Sequence, residues 1–238
     1  MGELLEYVLF MALRALGRRL SFRGAGRLGA VLGHSVLVLT GYRKRVTMDN
    51  LRQAFPGRAE PDLRRIARGA YENYGRTLTL MFWASARTPE ELTGVVRFDD
   101  ESLVRASIEE RKGFIYLSGH FGAWELPALS FGITFEPMTI VVQSQRNKRV
   151  DAVVNADRCR FGNHTVVMSA AARAVLSLLR EGRAAGMLGD QSGPVQAAFV
   201  EFFGRPCATH RGPALFTLKT GCALMMFFPI GSPMAPTG

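Results

Sequence analysis

From about residue 110 onward the chain alternates short apolar runs with longer stretches of helical period, and glycine opens or closes each run. The runs are Phe114–Ser118 (FIYLS), Met138–Val142 (MTIVV), Thr165–Met168, Ala184–Leu188 (AAGML) and Ala223–Pro229, with helices expected near 123–131, 147–161, 170–181 and 211–220. Near-continuous apolar strands interleaved with helices suit a parallel sheet, because helices then cover both of its faces. The expected fold is therefore α/β, a mostly parallel central sheet covered by helices, in which a site lies at the carboxyl ends of the strands. Residues 60–93 read as helical instead, with Ala70, Tyr71, Tyr74, Leu78 and Met81 on one stripe and Pro89 as the stop. No internal repeat, low-complexity tract or linker cuts the 238 residues into independent domains, so one domain with an N-terminal appendage is expected.

Charge narrows the class of partner. Thirty Lys and Arg against twenty Asp and Glu give a net +10, and 26 of the thirty are arginine, whose planar fork holds phosphate and carboxylate. The excess is uneven: residues 1–56 carry nine basic and three acidic side chains while also being the most apolar part of the chain. Leu5, Leu9, Leu13, Leu16 and Leu20 fall within about 80° on a helical wheel, with Arg14 and Arg18 opposite. Leu28–Tyr42 follows without a formal charge and is closed by Arg43, Lys44 and Arg45. At fifteen residues it is short for a span, which needs about 20. An N-terminal membrane-associated helical segment over residues 1–44 is expected, as a surface anchor among anionic headgroups or a single steep span, with the catalytic domain over 45–238.

Glu3 and Glu6 stand where a signal peptide would be basic, so the segment is expected to stay attached. Cys159, Cys207 and Cys222 form no CxxC and cannot all pair, which favours a reducing compartment over a disulfide framework.

The stretch Gly113–Leu126, GFIYLSGHFGAWEL, carries the chemistry. An apolar strand ends at Ser118, Gly119 permits a turn, and His120 stands at the strand's carboxyl end, just before a helix whose first turn contains Glu125. Across such a corner the two side chains can meet, and a carboxylate beside an imidazole fixes its tautomer and stabilises the imidazolium. His120 is then a general base held by Glu125. Ser118 lacks a GxSxG frame, so the base is expected to act on a substrate hydroxyl, which points to acyl transfer. A satisfied loop histidine is the plainer reading of the same pair.

Several segments occur in an order that resembles the late lipid A acyltransferases, the lauroyl and myristoyl acyltransferases of lipopolysaccharide synthesis. They are Arg45-Val46 with Asn50-Leu51 and Ala54-Phe55-Pro56; Asn73-Tyr74-Gly75-Arg76; His120 to Glu125; Asn147; Arg158 or Arg160 before Phe161-Gly162; Asp190-Gln191; and Phe202-Phe203-Gly204 with Ala208-Thr209. The resemblance implies a glycerol-phosphate-acyltransferase-like fold and transfer of a fatty acyl chain to a hydroxyl of a glycolipid at the cytoplasmic face of the inner membrane. The donor would be acyl carrier protein or acyl-coenzyme A, and no cofactor is implied beyond that acyl thioester. It makes His120 the base and Glu125 its partner, with Arg158, Arg160 and Asp190 as further substrate-binding residues. Asp190 equally reads as a helix N-cap, and the two arginines as a solvated helix face.

The chain departs from the resemblance where Thr79, Leu80, Met81 and Phe82 stand in place of a glutamate after the Asn-Tyr-Gly-Arg segment. It also stops at Gly238, which reads as a truncated C-terminus. Two acceptors stay open, a lipid A precursor and a phosphatidylinositol mannoside or other lysolipid. A metal-dependent hydrolase using His120 and Glu125 as ligands lacks a third ligand in the sequence. The excess of basic charge lies beside apolar helices, and no nucleic-acid-binding motif accompanies it, so nucleic acid is not an expected partner.

Overall fold

The computed structural model describes residues 2–193 and 197–231. Six helices come first: α1 (Gly2–Arg19), α2 (Phe22–Ser35), α3 (Lys44–Ala54), α4 (Glu60–Ala84), α5 (Pro89–Val95) and α6 (Ser102–Glu109). The alternating part follows as β1 (Phe114–Ser118), α7 (Glu125–Thr134), β2 (Met138–Val142), α8 (Lys148–Arg158), β3 (His164–Val167), α9 (Met168–Arg180) and β4 (Ala184–Leu188). A hairpin, β5 (Ala198–Phe202) and β6 (Arg205–Thr209), precedes α10 (Gly212–Thr220) and β7 (Ala223–Met226). The end of the chain, with its apparent truncation at Gly238, lies outside the described residues.

These elements form two compact units. The first comprises Met1–Phe10, Arg87–Ala198 and Ala208–Gly238, and the second Met11–Ala86 and Phe199–Cys207. The first unit is the α/β fold expected from the alternation. Its sheet runs β3-β2-β4-β1-β7 with every neighbouring pair parallel. Alternate side chains of β1 feed two cores. Ile115 packs with Val175, Leu179 and Met187 under α9, whereas Phe114 and Tyr116 pack with Phe131, Met138 and Phe227 under α7. Burial on both faces is why these strands read as continuous apolar runs rather than alternating ones.

The second unit is helical. α4 passes α2 at backbone contact, because Gly29 and Gly33 of α2 and Gly75 of α4 leave no side chain between them. A Cβ on Gly33 would run into the Tyr71 carbonyl, and one on Gly75 into the Gly29 carbonyl. Thr79 donates its hydroxyl to the Ala25 carbonyl at 2.8 Å across the same contact. The position after the Asn-Tyr-Gly-Arg segment thus serves helix packing here.

Several boundaries shift by one to three residues, and four differences from expectation have a physical reason or consequence. Pro89 starts α5 rather than only stopping α4, since proline fits the first turn of a helix and Thr88 supplies a capping box with Glu91. The apolar stretch from Leu28 belongs to a helix that begins at Phe22, capped by Ser21, and that ends in a π-helical turn over Val36–Thr40 at Gly41. The last strand stops at Met226, three residues early. The β5–β6 hairpin was not anticipated; Phe203 and Gly204 form its two-residue turn, both with positive φ, the geometry that joins twisted strands most directly. Among the described residues no helix is long and apolar enough to cross a membrane, so the steep span is not found.

Candidate active site

β1 and β4 are neighbours in register, with Ser118 opposite Leu188. Two residues beyond that pair on each strand stand His120 and Asp190. The shared offset brings them together: Asp190 Oδ1 lies 2.8 Å from His120 Nδ1, and Oδ2 accepts the His120 backbone N–H at 2.7 Å. Gly119 makes room, since a Cβ there would press on the Asp190 carboxylate at 3.1 Å. A carboxylate accepts, so the bond puts the imidazole proton on Nδ1 and leaves Nε2 with its lone pair. The Trp124 ring meets the imidazole edge-on, 4.9 Å between centroids. β1 and β4 both end at this rim, and sites in such sheets lie at the carboxyl ends of the strands.

Glu125 does not orient His120, which corrects the expected pairing. Its carboxylate is bound by Arg158, with Nη2 to Oε1 at 2.5 Å and Nε to Oε2 at 3.1 Å, a bidentate fork. Glu125 opens α7 and Arg158 closes α8, so each charge sits at the helix end whose dipole favours it. Glu125 is only 7% exposed, and burial favours a partner of this strength over an interaction with a half-exposed ring. The Glu125 fork and carboxylate hold the Arg158 guanidinium above its ordinary pKa, although burial opposes this.

A cavity of about 480 Å³ surrounds the imidazole, within the range of small-molecule sites. His120, Glu125 and Arg158 line it, together with Gln143 to Arg146 at the end of β2. Arg160 is placed elsewhere, donating to the Arg87 carbonyl at 3.0 Å with its guanidinium over Phe161. Asp190 caps no described helix; both of its oxygens are spent on His120. Asn147, one of the residues of the resemblance, caps α8 through its side-chain oxygen and donates to the Glu3 carbonyl at 2.7 Å, so its work is structural.

Three lining residues were given no role by the sequence reading. Gln191 follows Asp190, and His210 follows the end of β6, a strand-end position that a hairpin assignment would have exposed. Tyr116 lines the floor, 3% exposed and stacked on Phe227 at 4.1 Å, and its hydroxyl has no hydrogen-bond partner among the described residues. Burial pushes that phenol far above its ordinary pKa, so it stays neutral. Among the described residues no group of three or more His, Cys, Asp or Glu side chains is placed to hold a metal ion.

The sequence profile of the bacterial lipid A biosynthesis acyltransferases matches residues 2–234. Over 168 residues the chain is 24% identical to lipid A biosynthesis acyltransferase 2 of Shigella flexneri. That match takes in 70% of this chain and 53% of the relative, so the chain spans about half the length of the curated relative it matches.

Proposed function

The chain belongs to the bacterial lipid A biosynthesis acyltransferase family, and from that premise we propose that it transfers a fatty acyl chain from a thioester to a hydroxyl of a lipid A precursor. The observation that carries the reading is the 2.8 Å contact between His120 and Asp190 at the rim of a cavity. In this reading the acceptor hydroxyl gives its proton to His120 Nε2 as its oxygen attacks the thioester carbonyl carbon. The C–S bond then breaks, the thiolate of the carrier leaves, and the imidazolium returns the proton to it. Asp190 stabilises the imidazolium in between, the role first expected of Glu125.

Arg158, held in a fixed plane by Glu125, suits a phosphate of the glycolipid or of the phosphopantetheine arm that acyl carrier protein and coenzyme A share. The oxyanion would be received by backbone amides at the start of α7. Association with a membrane surface is supported by α1, where Leu5 and Leu9 are 61% and 56% exposed on the face opposite Arg14 and Arg18, and the proposal places that surface at the cytoplasmic face of the inner membrane.

One experiment tests both parts. His120→Ala and Asp190→Asn are assayed for transfer from acyl carrier protein and coenzyme A thioesters to lipid A precursors, alongside co-sedimentation with anionic vesicles. The expected result is a loss of about 10²–10⁴-fold in transfer for His120→Ala, with a smaller loss for Asp190→Asn and unchanged vesicle binding. Near-full transfer by His120→Ala would refute the base, and failure of the unaltered chain to bind vesicles would refute the membrane partner.

A further inference from the structure

The lining of the cavity draws on residues from both faces of the sheet. Toward α9 its wall includes Met168 and Ala172, both exposed, beside the buried Ala171 and Met187. Toward α7 its wall is Tyr116, Ala128, Met138, Ile140 and Gly186, with Tyr116, Met138 and Gly186 buried. These side chains are apolar apart from the Tyr116 hydroxyl, and Met138 packs into the core with Phe131.

Gly186 lines the cavity on the α7 face. It sits in the middle of the central strand β4, opposite Tyr116 of β1 and Ile140 of β2, so all three residues point to the α7 face. A glycine inside a central strand weakens it, and is tolerated where a ligand approaches the backbone closely. A Cβ at Gly186 would meet only side-chain atoms: Met138 Sδ at 3.0 Å and Ile140 Cγ1 at 3.5 Å. The residue therefore separates no backbones. The room its missing side chain leaves is taken up by the tips of Met138 and Ile140, so a methyl there would press on Met138, four residues and roughly 13 Å of strand rise below Asp190.

We propose that the α7-side lining of the cavity is the subsite for the acyl chain of the donor, and that Gly186, with Ile140 and Met138 beside it, sets the length of chain the site accepts. This rests on the acyl-transfer reading and names its donor specificity. The chain enters past His120 with its thioester carbonyl at the rim, and its methyl end comes to rest against Met138. A methyl added at Gly186 displaces the last methylenes of the longest chain that fits. One methylene in such a pocket discriminates by about 10–200-fold.

The test compares the unaltered chain with Gly186→Ala, Ile140→Ala and Ala172→Val in two assays. The first is displacement of a fluorescent fatty-acid probe by saturated fatty acids of graded length, and the second is transfer from thioesters of the same lengths. Gly186→Ala is expected to lose about tenfold or more in preference for the longest accepted chain relative to shorter ones. Ile140→Ala is expected to move the preference toward longer chains, and it stands in for Gly186→Ala should that strand tolerate no methyl. Length profiles unchanged in both variants, with transfer intact, would overturn the assignment of Gly186 and leave the acyl-transfer reading standing. A profile that answers to Ala172→Val alone would overturn it by placing the chain toward α9. Graded binding that Gly186→Ala shortens, in a protein that transfers from no thioester, would support the subsite and strike at the transfer reading instead.

Discussion

In the helical unit Gly33 lies against a backbone carbonyl of α4, whereas in the sheet unit Gly186 lies against the tip of a methionine side chain. The residue type is the same and its work is opposite. Between α2 and α4 glycine lets two rigid backbones touch, and nothing nearby can yield. On β4 glycine faces the tips of Met138 and Ile140, and a flexible thioether can shift by a few tenths of an ångström. A substitution in the first region breaks the fold; one in the second reshapes a cavity.

The largest effect is expected at Gly33→Leu, which forces the helices apart and costs roughly 4 kcal/mol or more. Urea denaturation followed by circular dichroism checks it, and a midpoint equal to that of the unaltered chain would mean the two helices do not touch as described. Glu125→Ala comes next, at about 3 kcal/mol, because Arg158 is left as a charge with no carboxylate in a largely dry setting. Removing both charges together as Glu125→Met and Arg158→Met is expected to restore most of that loss in the same measurement. Restoration marks the pair as electrostatic, in contrast to the steric contact of the helices. Thr79→Val is expected to cost about 1 kcal/mol, the net worth of its hydrogen bond to Ala25. A loss several times larger would show that the α2–α4 contact depends on this bond as well as on its glycines.

Three strands, β1, β2 and β4, were legible to the residue, because each is a run of apolar side chains with a turn signal at both ends. The hairpin was not, since Phe199, Phe202 and Phe203 interrupt no polar pattern and their exposure breaks the rule that a strand buries one face. His210 was passed over for the same reason: with β6 unassigned, nothing marked it as a strand-end residue. Glycine at 186 looked like an ordinary small residue in a strand, and only its neighbours on β1 and β2 show what a side chain there would meet.

The candidate base was readable from local order, since an apolar strand, a glycine and a histidine before a helix place His120 at the carboxyl edge of a sheet wherever that strand lies. Its partner was not. Glu125 is five residues away along the chain and Asp190 seventy, and proximity in sequence favoured the wrong carboxylate. The choice fell to the sheet: β4 pairs with β1 in a register that aligns Ser118 with Leu188, so equal offsets deliver His120 and Asp190 to one spot. Glu125 meanwhile turns to Arg158 at the end of α8, a partner brought by the packing of two helices. Patterns within a few residues follow from propensity and hydrophobic period. Which distant groups touch follows from strand order and register, which no local stretch of the chain encodes.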